Sequence, residues 1–151
     1  MKILIDGDAC SKIAMIEKIA KQKHIPCHIY CDASRDIYSD YSEVHIVEIG
    51  FNSADMAIIN HCKKGDVVIT NDTGLAAMIL AKSAYVINNH GMEFTNDNIT
   101  QLLMRRHICT SGKRTSGRHK QMKQVHELFQ DTGRQHPSFT QALTNIITKY
   151  R

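Results

Sequence analysis

Several features that would assign the chain to a special class are missing. Tryptophan is absent, proline occurs twice and aromatic residues make up 6% of the 151 residues. No apolar run approaches the roughly 20 residues that a membrane helix needs, and the stretch Ile3–Ile5 after Lys2 is too short for a secretory signal. We therefore expect no membrane association and a cytoplasmic location.

Cysteine and histidine do not form a metal-binding pattern either. The five cysteines include no CxxC pair, which argues against a zinc site of clustered Cys and His ligands. Reduced thiols of a cytosolic protein are the expected state. The nine histidines are scattered along the chain and are expected mainly as surface or packing residues.

The bulk composition is that of an ordinary globular domain, with 42% hydrophobic and 23% charged residues. The charge is unevenly placed, however. Residues 1–98 contain 9 Lys and Arg against 13 Asp and Glu, a net charge of −4, whereas residues 99–151 contain 10 against 2, a net charge of +8. A basic C-terminal third favours an anionic partner, and nucleic acid is the first candidate. A solvated basic helix surface is the alternative.

Short apolar segments alternate with amphipathic ones through the first 98 residues. This alternation predicts right-handed βαβ units and a parallel sheet of about five strands with helices on both faces. From residue 95 onward the pattern is helical only. Ser11 is expected to cap the first helix, and Ser138 with Gln141 fits a capping box for the last one. Strands are predicted near 3–6, 26–31, 44–49, 66–70 and 84–88, and helices near 12–23, 53–63, 74–82, 96–109, 119–131 and from 139.

The opening strand ends in two carboxylates, Asp6 and Asp8, separated by Gly7. Ligands in parallel sheets collect beyond the carboxyl ends of the strands. Residues i and i+2 of an extended strand face the same side, so both carboxylates are expected in one crevice. Two like charges that close require a cation or a shared proton. A divalent-metal site is therefore one hypothesis, and a strand end that turns the chain and caps the next helix is the other.

Two further aspartates fall at the same edge of the predicted sheet. Asp72 follows the fourth strand, and Asp55 lies in the first turn of the helix after the third. Each aspartate could instead have a purely structural role. Asp55 could stabilise its helix by a favourable interaction with the helix dipole, and Asp72 could be an N-cap. Together, four carboxylates in one crevice suit Mg²⁺ or Mn²⁺, which prefer oxygen ligands.

A metal held in this way could polarise a phosphodiester and activate water, with the four aspartates as catalytic and metal-binding residues. Four polar side chains nearby are candidates either for contacting the substrate or for supporting the metal ligands, and they are Cys10, Ser53, Thr70 and Asn71. The basic side chains that could hold the nucleic-acid backbone are Arg105, Arg106, Lys113, Arg114, Arg118 and Lys120.

Several motifs follow one another in a specific order along the chain, and they are Asp6–Cys10, Gly50–Asp55, Asp66–Asp72 with 75–77, and Gly91 with 94–95 and 98–99. In this order they resemble the YaiI/YqxD family of uncharacterised bacterial proteins. The chain departs from the family pattern at Gly7, where alanine is usual, at Ser11, where proline is usual, and at 116–118. That family resembles PIN-like domains, which implies a three-layer α/β/α fold over residues 1–151 and a nuclease-type acidic cluster of Asp6, Asp8, Asp55 and Asp72 that binds Mg²⁺ or Mn²⁺.

These observations predict a metal-dependent nuclease that hydrolyses RNA. Two other functions fit the same residues. One is a non-catalytic RNA-binding or regulatory module, and the other is a phosphatase that acts on a small phosphorylated molecule.

Overall fold

The computed structural model describes residues 1–48, 50, 53–111 and 137–151. These residues contain one six-stranded sheet, whose strands are β1 (Ile3–Asp6), β2 (Cys27–Asp32), β3 (Glu43–Val47), β4 (Val67–Ile69), β5 (Tyr85–Ile87) and β6 (Glu93–Phe94). The spatial order is β3-β2-β1-β4-β5-β6. The first five strands are parallel, and β6 pairs with β5 in the antiparallel sense.

Helices cover both faces of the sheet because the strands present apolar side chains alternately to one face and to the other. Ile3 and Ile5 pack with one helical layer, while Leu4 packs with the other. The first layer contains α1 (Ile13–Lys23) and α5 (Phe139–Tyr150), and the second contains α2 (Ser53–His61), α3 (Thr73–Ala81) and α4 (Asn96–Ser111).

This mixed architecture confirms the predicted fold class and is consistent with a PIN-like α/β/α fold. The central position of β1 follows from its composition, since Ile3, Leu4 and Ile5 are all fully buried. The predicted cap of the last helix is also confirmed, because Ser138 Oγ accepts a hydrogen bond from the Gln141 amide at 3.3 Å.

Two local features differ from the prediction. The cap of α1 is Lys12, which makes no side-chain capping bond, so the prediction for Ser11 is wrong. The short strand β6 was not predicted, because two residues carry no periodic signal. The helix predicted over 119–131 lies outside the described residues.

Two further expectations can be compared with the described residues. Each helix in the described part of the chain is too short or too polar to cross a lipid bilayer. Cys10, Cys27, Cys31 and Cys62 are free thiols.

The strand order reverses direction between β1 and β4. From β1 the chain moves to β2 and β3 on one side, then returns through α2 to β4 and β5 on the other. In open α/β sheets, such a switch point leaves a crevice at the carboxyl ends of the two strands. Asp6 ends β1 and Thr70 follows β4, so both lie at this crevice.

Candidate functional site

Asp6 is the buried member of the acidic group, with 5% of its surface exposed. It lies on the same face of β1 as Leu4, which is the face covered by α2 and α3. Its Oδ2 accepts a hydrogen bond from Thr70 Oγ1 at 2.9 Å. Burial raises the pKa of Asp6, the bond from Thr70 opposes that rise, and the charge of Asp8 adds to it.

The Thr70 hydroxyl has a fixed orientation. It accepts a hydrogen bond from the Asp72 amide at 3.0 Å, so its own proton is available for Asp6. Thr70 is 1% exposed. We predicted it as a substrate contact or as a support for the metal ligands. In the structure its hydroxyl connects the ends of β1 and β4 and orients Asp6.

A turn of the backbone, and not the predicted extended strand, places Asp8 at the crevice. The strand ends at Asp6, and the amides of Ala9 and Cys10 both donate to the Asp6 carbonyl, which makes a turn. The argument that Asp6 and Asp8 share a face of an extended strand is therefore wrong. Instead, Asp8 Oδ1 accepts a hydrogen bond from the amide of Asp32, the last residue of β2, at 3.2 Å.

The turn after β1 depends on Gly7. A Cβ atom at this position would lie 2.9 Å from Ile29 Cγ2 and 3.0 Å from the Tyr30 carbonyl oxygen. The Gly7 amide also donates to that carbonyl at 2.7 Å. Glycine therefore lets the backbone approach β2 closely and brings Asp8 to the end of that strand.

Asp72 is the N-cap of α3, as the structural alternative proposed. Its Oδ1 accepts from the amides of Gly74 and Leu75 at 2.7 and 3.1 Å. The same oxygen accepts from Arg106 Nη1 at 3.0 Å. These three contacts all use Oδ1.

Asp55 lies in the first turn of α2 and is partly exposed. Its pKa is raised by burial first and then by the charges of Asp6 and Asp72. Arg106 opposes this rise, and Asp8 adds to it. The charges of the other three aspartates thus act on Asp55, and all four residues lie at the carboxyl edge of the sheet.

The four carboxylates do not form a closed ion site. Within the described ranges, one group of three His, Cys, Asp or Glu ligand atoms lies within 4.8 Å of one another, and it is His28, Glu43 and His45. Any three of the four aspartates thus include a pair of ligand atoms more than 4.8 Å apart. The Arg106 guanidinium, 3.0 Å from Asp72 Oδ1, offsets part of their negative charge.

A buried amide beside the crevice has an acceptor without a partner. Asn89 is 6% exposed. Its side-chain Nδ2 donates to the Ala9 carbonyl at 2.7 Å, and its backbone amide donates to Asn71 Oδ1 at 3.1 Å. Among the described residues, nothing donates to Asn89 Oδ1. A buried acceptor is normally satisfied by protein or ordered water, so this atom favours bound water or ligand at the same edge of the sheet.

The remaining candidate residues are placed as follows. Cys10 is half-buried, and burial raises the pKa of its thiol, which disfavours a nucleophilic thiolate. Asn71 is exposed at the crevice, and Arg105 and Arg106 are exposed on α4. Ser53 begins α2, but its side chain lies outside the described residues. The same is true of Lys113, Arg114, Arg118 and Lys120.

Sequence reasoning missed one cation at the crevice. Arg35 Nη2 donates to the Asp8 carbonyl at 2.6 Å, and its Nε lies 4.0 Å from Asp8 Oδ1. Arg35 belongs to the connection between β2 and β3, whose polar sequence over 32–42 predicts a long surface connection. The length of that connection was the only signal, since long connections are often functional.

Comparison with known proteins gives a consistent result. A family model described as "Uncharacterized BCR, YaiI/YqxD family" matches residues 4–149. A UPF0178 protein of Clostridium tetani is 48% identical over 118 residues, which is 78% of this chain and 81% of that protein. UPF0178 proteins of Clostridium acetobutylicum and Clostridium perfringens are 42% and 45% identical over 118 and 120 residues, which cover 78% and 80% of this chain and 80% of each relative. No solved structure matches the chain.

Proposed function

The chain belongs to the YaiI/YqxD family of bacterial proteins, and we propose that it is a PIN-like nuclease that hydrolyses RNA with a divalent metal ion. The observation that carries the proposal is the placement of four carboxylates at one edge of the sheet, where the charges of Asp6, Asp72 and Asp8 raise the pKa of Asp55. A bound cation would relieve the repulsion between these like charges.

The donor set fits a hard ion. Asp6, Asp8, Asp55 and Asp72 offer only carboxylate oxygens, the ligands that Mg²⁺ and Mn²⁺ prefer. Asp72 would contribute Oδ2, since its Oδ1 already accepts from Gly74, Leu75 and Arg106. When bound, such an ion lowers the pKa of its water and stabilises charge on the leaving oxygen.

The surrounding residues have supporting roles in this proposal. Thr70 holds the Asp6 carboxylate in place through its 2.9 Å hydrogen bond. Arg35 and Arg106 place guanidinium groups beside Asp8 and Asp72. Guanidinium groups suit phosphate oxygens, so each can exchange a carboxylate for the RNA backbone.

The basic C-terminal third, with its net charge of +8 over residues 99–151, supports a polyanionic substrate over a small phosphate ester. The proposal includes a cytoplasmic location, which the sequence predicted from its cysteines.

The test is cleavage of end-labelled single-stranded RNA by purified protein with Mg²⁺, with Mn²⁺ and with EDTA. The informative variant is Asp8→Asn, because asparagine can still accept the Asp32 amide through Oδ1. We expect cleavage to fall by more than the roughly 10- to 100-fold cost of altering groups around metal ligands, while RNA binding persists. The matched control is Asp97→Asn, an exposed aspartate in the first turn of α4.

Other outcomes would contradict the nuclease proposal. Cleavage that survives EDTA or Asp8→Asn would come from a contaminant or from another site. RNA binding without metal-dependent cleavage would favour the non-catalytic module. Turnover of small phosphate esters without affinity for RNA would favour the phosphatase.

A further inference from the structure

A second group of metal-ligating side chains lies on the edge of the sheet, away from the acidic crevice. His28 of β2 pairs with Glu43 of β3, and Tyr30 pairs with His45, in the parallel register of the two strands. Alternation along each strand puts His28, Glu43 and His45 on the face that carries α2. The group lies near the start of β2, whereas the acidic crevice lies at the carboxyl ends of the strands.

The distances between the donor atoms match those around a single ion. His28 Nδ1 lies 3.0 Å from His45 Nε2 and 3.5 Å from Glu43 Oε2, and His45 Nε2 lies 3.5 Å from Glu43 Oε1. A tetrahedral ion about 2.0–2.1 Å from each ligand would separate its ligand atoms by about 3.3–3.4 Å. Small rotations of the side chains would therefore close the site.

The two imidazole rings are held by stacking. The His45 ring stacks on Tyr30, with 4.6 Å between the ring centroids and 8° between the planes, and on His28 at 5.3 Å. Their side chains are 27% and 20% exposed, while that of Glu43 is 67% exposed. The nitrogen ligands are thus fixed by packing, and the carboxylate side remains open to solvent for a water ligand.

We propose that His28, Glu43 and His45 bind one late first-row transition ion, for which Zn²⁺ is the best match. Two imidazole nitrogens and one carboxylate oxygen form a donor set that zinc uses with water in its fourth position. Nitrogen ligands also separate this site from the acidic crevice, whose oxygen ligands suit Mg²⁺ or Mn²⁺. The bound ion would join edge strand β3 to β2.

The test is titration of the untagged, metal-stripped full-length protein with Zn²⁺ by isothermal calorimetry. We expect one tight site, and His45→Ala is expected to raise its Kd by more than about 100-fold, since even groups around a ligand contribute about 10- to 100-fold. The matched control is His107→Ala, which removes an exposed histidine from α4 and should leave the Kd unchanged.

A second variant keeps the test valid if His45→Ala does not fold. Glu43→Gln removes only the charge of an exposed side chain, and we expect at least a tenfold rise in Kd, on the order of the outer-group cost. The visible absorption of bound Co²⁺ provides an independent report of the coordination geometry, and its titration should require higher Co²⁺ concentrations in Glu43→Gln and remain unchanged in His107→Ala.

Two results would overturn the proposal. If Zn²⁺ does not bind, or binds to Glu43→Gln and His45→Ala as tightly as to the wild-type protein, the two histidines form only a hydrogen-bonded pair. If Zn²⁺ binding is lost in Asp55→Asn and kept in Glu43→Gln, the ion belongs to the acidic crevice.

Discussion

Removing one charge from the acidic crevice is expected to relieve electrostatic repulsion in the metal-free protein, and Asp55→Asn is the substitution that tests this. Asp55 is repelled by Asp6, Asp72 and Asp8 and attracted by Arg106, a net of two repulsive pairs. Partly exposed pairs contribute about 0.2–1 kcal/mol each, so the substitution should relieve about 0.4–2 kcal/mol. It also loses a favourable helix-dipole interaction of about 0.3–1 kcal/mol.

The control Asp97→Asn separates these two effects. Asp97 is an aspartate in the first turn of α4, so its substitution loses the dipole interaction without relieving the crevice. The two variants should therefore differ in free energy of unfolding by about 0.4–2 kcal/mol. For a chain of this size, that is a difference in Tm of about 1–8 °C, which thermal unfolding in EDTA at pH 7 can measure.

The sign of the pH dependence gives an internal check. The pKa of Asp55 is raised in the folded state, so the fold prefers the neutral acid. The wild type loses this part of its stability as pH rises through the folded pKa, and keeps it below the ordinary value of about 3.9. The advantage of Asp55→Asn over Asp97→Asn should therefore be present at pH 7 and disappear in acid.

Addition of Mg²⁺ should reverse the order of the proteins. At 100 times its Kd, the ion would stabilise the wild type by about 2.7 kcal/mol, or about 5–11 °C in Tm. Asp97→Asn should gain as much, and Asp55→Asn much less. Equal Mg²⁺ shifts in all three proteins, or equal Tm values for the two variants in EDTA, would refute the idea of an electrostatically strained crevice.

Three further substitutions test the parts that hold the site. Thr70→Val leaves Asp6 Oδ2 and the Asp72 amide without their partner, so urea unfolding should show a loss of about 1–3 kcal/mol; a loss no larger than that of Thr144→Val would contradict this. Gly7→Ala crowds Ile29, and the same measurement should show a loss of about 1–3 kcal/mol; wild-type stability would mean that the turn relaxes freely. Arg106→Gln should weaken RNA binding and reduce the salt slope by about 1, and an unchanged slope would exclude a phosphate contact.

The fold could be predicted from the sequence because apolar strands and amphipathic helices alternate along most of the chain, and each of these segments can be recognised from its own residues. A fully apolar strand such as Ile3–Ile5 has no face for solvent, so it must be central in a sheet covered on both sides. The cap of α1 could not be predicted in the same way. Ser11 has the right side chain one residue too early, and a capping bond depends on backbone angles that the sequence leaves open.

The acidic group was predicted by topology and not by local geometry. Asp6 and Asp8 were expected together because of strand alternation, yet the chain turns after Asp6 and Asp8 arrives next to Asp32 instead. Asp6 and Asp8 nevertheless lie at the same edge of the sheet, because the carboxyl ends of β1 and β2 meet there whatever turn follows β1. The contacts of Arg35 and Asn89 needed the folded loops and could not be predicted.

The histidine group shows where such topological reasoning stops. The ends of parallel strands coincide for any register, so residues that follow the strands can be grouped from sequence alone. His28 and His45 lie within neighbouring strands, and their side chains meet only because His28 pairs with Glu43. A shift of one residue in that pairing would turn His45 to the opposite face of the sheet. Zn²⁺ affinity, if found, would therefore report the register of β2 and β3 as directly as it reports a metal site.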